Sequence, residues 1–589
     1  MKQKFEINGM SCAACQASVK RATEKLSGVI SADVNLLSGT MVATFDETKV
    51  TEKDIISAVT NAGYEALIFD PTKVRPDPIK KDIANLKKRL FYSAMFLIPI
   101  MFLSMGIKGN LVIFLAEAGM AIPVIYINRV FFVNGYKSLF HLNPNMDSLI
   151  AVGATASFIY GYIETTVMIL TLVTFGKFLE AKSKGKTGDA VKKLIELAPE
   201  KATVLRSGKE IEINAEFIEL NDVIIVKAGN KIPVDGLVIE GNAKVDQSAL
   251  TGESELVEKQ VGSLVLSATI LLEGEIKFKA TKVGQDTTLS QIIKTVEEAS
   301  SSKAPVSRLA DKIAGIFVPC VMALSLITFI SWELISHDLG HAISRAVCVL
   351  VVSCPCALGL ATPVSIMVGT GTAAKFGILF KSAEALENLC HGTFVLFDKT
   401  GTLTTGSQIK ETSKNALDSL KKEKLKVAMA SGDKKEIAEK IAKELGIDEY
   451  YYELLPNGKQ EIVSSLKQKG EKVIMVGDGI NDSPALVSAD VGMAIGAGTD
   501  IAIDSADVVL IKNDINDVLT AIKLSRRVMK IIKENLFWAF FYNIIMIPLA
   551  AGLISNVEMS PMLGSFAMSL SSVTVVTNAL RIKNFKGDK

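Results

Sequence analysis

Two thiols flank a proline at Cys354-Pro355-Cys356, inside the apolar run VLVVSCPCALGLATP at 349–363. Proline within a helix removes a hydrogen bond and frees a carbonyl, which hydrocarbon tolerates only where protein re-satisfies the backbone. Thiols beside such a kink can point into a bundle together. Soft thiolates select Cu(I), Zn²⁺ and related ions, and metal lowers the thiol pKa enough to ionise it. Buried cysteine is also a small apolar residue, and Cys320 and Cys348 are read that way. A second pair, Cys12 and Cys15, lies in GMSCAAC, on a loop entering a helix. That spacing alone also fits a redox couple.

A different chemistry is written in FVLFDKTGTLT, residues 394–404. A buried strand ends at Asp398, and the chain turns through Lys399, Thr400 and Gly401. Ligands of open α/β sheets bind beyond the carboxyl ends of strands, so Asp398 stands where a phosphoryl group could sit. MASGD ends another strand at Asp433, and VIMVGDGINDSPAL ends one at Asp478 with Asp482 four residues on. Clustered carboxylates repel unless a cation neutralises them, and Mg²⁺ takes hard oxygen ligands. A lone strand-end aspartate is ordinarily a surface residue.

These groups need elements to hold them. The chain has 589 residues, 49% hydrophobic and 22% charged, with mean hydropathy +0.33. That mixture predicts apolar spans alternating with water-soluble domains. A net charge of +2 gives no nucleic-acid footprint. Seven cysteines, four of them in two tight pairs, read as thiol ligands in a reducing compartment rather than a disulfide framework. Residues 1–70 predict a βαββαβ ferredoxin-like domain, followed by a charged linker over 71–89. Eight apolar windows follow: 90–105, 111–132, 146–162, 165–179, 313–335, 342–371, 536–554 and 562–580, where about 20 apolar residues cross a bilayer. They group as spans 1–4 within 90–182, 5–6 within 306–375, and 7–8 with a tail within 531–589. Basic residues before the first span, in KSKGK after the fourth, and in the tail put both termini in the cytosol. The polar insertion 183–305 is strand-rich. The insertion 376–530 alternates strands and helices, as a parallel α/β sheet does.

The heptad DKTGTLT resembles the phosphorylation motif of the P-type ATPases, and Cys-Pro-Cys narrows the resemblance to the heavy-metal pumps. The fold it implies is a multidomain membrane protein. An eight-helix bundle would carry the ferredoxin-like N-terminal domain, a β-rich actuator and a haloacid-dehalogenase-like phosphorylation domain. The resemblance implies Asp398 as nucleophile, Lys459 against the phosphoryl oxygens, and Asp433 and Thr400 beside them. Asp398, Asp478 and the Thr400 carbonyl would hold Mg²⁺, with Asp482 in support. DQSALTGES matches the actuator loop, and Glu253 there is implied to position the hydrolytic water; the run Ser254-Glu255-Leu256-Val257 lacks the family's usual proline. Tyr542 and Asn543, with Met568, Ser571 and Ser572, resemble the Cu(I) members, whereas zinc and cadmium pumps place charged residues in those spans. GMSCAAC resembles the heavy-metal-associated domain, which makes Cys12 and Cys15 Cu(I) ligands and a copper chaperone a possible partner. Met146, Glu180 and Asp311 match the family's access route for copper. At the second span the family's Gly-Gly kink is replaced by Ile127-Asn128, which counts against a docking platform there.

One departure is larger. The family inserts a separate nucleotide-binding domain after DKTGTLT, and a folded domain takes on the order of 100 residues. Here SQIKETSKNALDSLKKEK alone, read as one helix, separates the motif from the next core strand. The expected function is ATP-driven Cu(I) export through an aspartyl phosphate, impaired by that loss, in a multi-pass protein of a bacterial-type plasma membrane. The alternatives are a membrane copper-binding protein without turnover, a zinc or cadmium pump, and a phosphatase acting on small acyl or aryl phosphates.

Overall fold

The computed structural model describes residues 2–8, 13–35, 40–68, 78–104, 111–141, 144–187, 199, 201–206, 209–247, 256–353, 356–405, 408–478, 482–496, 505–554, 559 and 561–587. Two compact units emerge. One comprises 1–187, 301–365 and 530–581; the other comprises 188–300, 366–529 and 582–589.

The first unit opens with β1 (Lys2–Asn8), α1 (Ala13–Glu24), β2 (Val29–Asn35), β3 (Thr40–Phe45), α2 (Glu52–Asn61) and β4 (Glu65–Ile68). The antiparallel sheet has order β2-β3-β1-β4. Alternation puts Met41, Ala43 and Phe45 of β3 inward with Phe5 and Ile7 of β1, packed on Val19, Ile55 and Val59 of the helices. Large apolar side chains of this kind contribute about 1.5–3 kcal/mol each when fully buried. A capping box starts α2: Thr51 Oγ1 accepts from Asp54 N, while Asp54 Oδ2 accepts from Thr51 N, satisfying two orphan donors.

The helices α3 (Pro78–Ser104), α4 (Leu111–Ile127), α5 (Arg129–Phe140), α6 (Met146–Ile159) and α7 (Ile163–Thr187) follow. Here the structure departs from sequence expectation. The axis turns by 68° between α4 and α5, although no Gly-Gly pair is present. Asn128, wholly buried at the corner, supplies the cause. Its Nδ2 donates to Ser93 Oγ and Val124 O, each at 2.9 Å, and its Oδ1 accepts from Arg89 and Thr174, each at 2.9 Å. A fully satisfied buried amide fixes geometry. Beyond the corner, α5 lies hard against α6. A Cβ on Gly135 would meet the Asp147 carbonyl oxygen at 2.4 Å, and Ser148 Oγ donates to Gly135 O at 2.8 Å.

The second unit begins with β5 (Lys201–Arg206), β6 (Lys209–Asn214), β7 (Val223–Lys227), β8 (Asp235–Asp246), β9 (Leu256–Lys259), β10 (Leu264–Val265) and β11 (Ile270–Lys282), then α8 (Thr288–Ser301). The sheet runs β10-β8-β11-β7-β5-β6, with β9 on β8. Sequence reading splits DGLVIEG from KVDQSAL, but β8 runs unbroken from Asp235 through the first to Asp246 in the second. Gly241, at φ +90°, has no room for a Cβ, which would lie 2.2 Å from Glu275 O.

The helices α9 (Pro305–Ser336), α10 (Leu339–Val352) and α11 (Cys356–Lys375) come next. Then β12 (Ile378–Phe380), α12 (Ala383–Cys390), β13 (Phe394–Asp398), β14 (Thr404–Thr405), β15 (Gln408–Ile409), α13 (Glu411–Lys422), β16 (Lys426–Ala430), α14 (Lys435–Leu445), β17 (Glu449–Tyr451), α15 (Pro456–Gln468), β18 (Val473–Gly477), α16 (Ser483–Ser488), β19 (Val491–Ile495) and β20 (Val508–Leu510) build an α/β layer structure. Its sheet has order β12-β20-β19-β18-β13-β16-β17, parallel except for the β12–β20 pair. The segment expected as one helix after DKTGTLT is instead β15 followed by α13.

The chain ends with α17 (Asn516–Ala550) and α18 (Pro561–Leu580). Each of the eight apolar windows overlaps helix. Among the described residues, however, only Lys312–Ser336 and Leu339–Lys375 are long and apolar enough to cross a membrane, or three spans if the bent α4–α5 pair is one. The 14-residue α6 reaches about 21 Å, short of a hydrocarbon core of about 30 Å. Among the described residues, length and composition thus do not confirm the count of eight spans.

Candidate functional site

The sheet order reverses at β13: β16 lies on one side and β18 on the other, both parallel to it. Such a reversal opens a crevice beyond the carboxyl ends of the strands. All five residues of β13 are buried, as a strand covered on both faces requires. Asp398 closes the strand at the crevice and is 4% exposed.

Lys459, from the first turn of α15, bridges two aspartates. Its Nζ is 2.6 Å from Asp398 Oδ1 and 2.5 Å from Asp482 Oδ1. Burial pushes the Asp398 carboxyl up to about 7; the Asp482 charge adds to this, and Lys459 opposes it without cancelling it. Burial also raises Asp482. Burial pulls Lys459 down, but the two carboxylates outweigh it and its pKa rises. Asp433 pairs with Lys399 at 2.6 Å, and the Lys399 amide donates to Ala430 O at 3.0 Å. Thr400 is exposed in the turn. Asp478 follows β18 and hangs over Gly401, where a Cβ would stand 3.0 Å from Asp478 Oδ2. Gly401 has φ +75°, which favours glycine there.

The structure therefore brings Asp398, Lys459, Asp482 and, over the same turn, Asp478 to one end of the sheet. Among the described residues no three His, Cys, Asp or Glu side chains form a metal-holding group. The proposed magnesium set, two carboxylates and one carbonyl, does not require one. Asp482 Oδ2 is buried with no hydrogen-bond partner among the described residues, and a buried carboxylate left so is costly. This orphaned oxygen, beside buried Asp398 with Lys459 between them, suits a hard divalent cation. Thr402 escaped sequence reading. It is wholly buried, and its Oγ1 likewise has no partner among the described residues; a hydroxyl in a turn gave no signal of that.

The other expected groups lie apart from this crevice in sequence. Tyr542, Asn543 and Met546 of α17 and Gly564, Met568 and Ser571 of α18 line one cavity with Val352 and Ala357, which flank the Cys-Pro-Cys run. Asn543 Nδ2 donates to Ala539 O at 3.3 Å. Ser572 is buried nearby in sequence but does not line that cavity. Met146 starts α6 and is 3% exposed. Cys12, Glu253 and Cys354 lie outside the described residues, as do the side chains of Cys15, Cys356, Glu180 and Asp311.

The parallel sheet with its crevice aspartates is the arrangement of a phosphoryl-transfer protein, and it shares the chain with an N-terminal βαββαβ domain and a β-rich domain. Family comparisons agree: the heavy-metal-associated domain matches residues 4–65, the P-type ATPase actuator domain 196–297, and the haloacid dehalogenase-like hydrolase 405–490. The chain belongs to the P-type ATPases. It is 36% identical over 735 positions to a copper-exporting P-type ATPase of Bacillus subtilis, covering 99% of this chain and 91% of that protein. It is 35% identical over 740 positions to copper-transporting ATPase 2 of Rhizobium meliloti, covering 99% and 90%. A probable copper-importing P-type ATPase A of Enterococcus hirae is 35% identical over 720 positions, covering 98% of each.

Proposed function

We propose that this chain exports Cu(I) across a membrane, driven by phosphorylation and dephosphorylation of Asp398. The carrying observation is the cavity where Tyr542, Asn543 and Met568 meet Val352 and Ala357. It brings the Met568 thioether, with the Asn543 amide and the Tyr542 phenol, against Val352 and Ala357, which flank the Cys354–Cys356 run in sequence, and a thioether is a donor that selects soft ions. The names of the copper-exporting relatives support the direction. The finer architecture proposed is eight spans with both termini cytosolic, divided as 1–70, 71–89, 90–182, 183–305, 306–375, 376–530 and 531–589.

In the proposed cycle an Asp398 oxygen attacks the donor phosphorus, and the bond to the leaving oxygen breaks. Lys459 Nζ, already on Asp398, holds the phosphoryl oxygens; Thr402 Oγ1 offers a further donor. Lys399 is kept in place by Asp433. Asp398, Asp478 and the Thr400 carbonyl would hold Mg²⁺, with Asp482 behind them, and when bound it supplies neutralisation of the phosphoryl charge. Glu253 then positions water to hydrolyse the acyl phosphate. Phosphoryl transfer is largely positioning and electrostatics, and the buried lysine supplies both. Copper would come by way of Met146, Glu180 and Asp311, from a chaperone or from Cys12 and Cys15. It would bind at Cys354 and Cys356, with Tyr542, Asn543, Met568 and Ser572 completing the route.

Cys354→Ser is expected to abolish copper-stimulated phosphate release by the purified protein and copper uptake into inverted vesicles. Undiminished copper transport by that variant overturns the reading.

A further inference from the structure

We infer that Asp398 takes its phosphoryl group from a small acyl phosphate at lower concentration than from ATP; this rests on Asp398 being the phosphorylated residue. The strands β14 and β15 pair antiparallel, Thr404 with Ile409 and Thr405 with Gln408. Two residues alone, 406 and 407, join them. The hairpin is fastened down where it leaves. Lys410 Nζ donates to Gly401 O at 2.9 Å and to Asn513 Oδ1 at 2.5 Å. The Lys410 amide and Ser413 Oγ both reach Leu403 O, at 3.1 and 3.0 Å. The chain that leaves the phosphoryl turn is thus tied back to that same turn within a few residues.

The comparisons point the same way. The match to the Bacillus subtilis relative runs over 735 positions, against 589 residues in this chain. On the order of 150 positions of that relative therefore have no counterpart here, about the size of one domain. What the described residues offer the phosphoryl end of a donor is Lys459 Nζ, on Asp398, and Thr402 Oγ1, which has no partner among them. Binding energy from a remote part of a substrate can be used at the reacting centre, but only if the protein grips that part. A donor whose bulk extends far beyond its phosphoryl group gains little here. A compact donor loses little.

The chemistry balances without further reactants. An Asp398 carboxylate oxygen attacks phosphorus, the bond between phosphorus and the acyl oxygen breaks, and the donor departs as a carboxylate carrying the electron pair. One carboxylic–phosphoric anhydride replaces another, so the step is close to even in free energy. Water then cleaves the aspartyl phosphate to Asp398 and inorganic phosphate.

The test uses the full purified chain in detergent with Mg²⁺ and Cu(I), titrated with ³²P-labelled acetyl phosphate or γ-³²P ATP and acid-quenched, with Asp398→Asn as the blank. Half-maximal labelling is expected at least about tenfold lower in acetyl phosphate than in ATP. Equal or tighter use of ATP overturns the inference. Labelling from ³²P inorganic phosphate in copper-free buffer is the parallel arm. If inorganic phosphate labels Asp398 and acetyl phosphate does not, the donor inference alone fails. If acetyl phosphate, ATP and inorganic phosphate all fail to label, Asp398 is not the phosphorylated residue and both readings fall.

Discussion

Asp398 carries opposing influences. Burial and the Asp482 charge raise its pKa to about 7, while Lys459 pulls the other way. A nucleophilic carboxylate must be deprotonated, so a raised pKa removes reactive enzyme on the acid side. Single-turnover labelling of Asp398 is expected to be flat above about pH 8 and to fall about tenfold per unit well below pH 7. Asp482→Asn deletes a like charge, so the midpoint should move to lower pH; a midpoint unchanged or higher in that variant contradicts the assignment. Much at this scale was legible in the sequence. Asp398 and Asp478 stand at strand ends, with Asp482 four residues further on before α16, and strand ends can be read from apolar runs closed by a polar residue. Lys459 was legible by resemblance alone. Thr402 was not, because its lack of a partner among the described residues is a matter of packing that no local pattern records.

At the scale of elements, α5 and α6 cross so closely that Gly135 has no space for a side chain, its Cβ position lying 2.4 Å from the Asp147 carbonyl oxygen and 2.9 Å from Ala151 Cβ. Gly135→Ala is expected to destabilise the detergent-solubilised protein by about 1–3 kcal/mol, as overpacking does, and to slow copper loading, since Met146 begins the displaced helix. A thermal shift assay with copper-uptake rates checks both, and an unchanged melting temperature refutes the close crossing. The apolar windows point to the helices, but nothing in them points to the corner at Asn128. Sequence reading looked for glycine as the agent of a bend, whereas here a buried amide does the bending through partners 35, 39 and 46 residues away in the chain. Partners so distant leave no local pattern. The same holds for β8, whose continuity is decided by its pairing with β11 rather than by its own residues.

For the whole molecule, the order of modules could be read in advance, because each has its own periodicity: alternation in the N-terminal sheet and in β5–β11, buried runs in β13 and β18, long apolar windows between. The number of crossings could not, since an apolar window does not fix how long its helix becomes. The proposed cycle separates holding copper from moving it. Asp398→Asn is therefore expected to bind Cu(I) at wild-type stoichiometry while losing copper-dependent phosphate release entirely. Equilibrium competition with a chromogenic Cu(I) chelator, run beside a phosphate-release assay, reads the two separately. Loss of binding together with turnover would join what this scheme keeps apart.

The corner at Asn128 has a mechanical consequence. Glycine-made bends are compliant, with many angles of similar energy. A corner stapled to α3 through Arg89 and Ser93, to α7 through Thr174 and to its own helix through Val124 is instead an elbow set at one angle. Force applied along α5 cannot be absorbed there as local flexing; it passes into the helices the amide grips, so that they shift as a single lever.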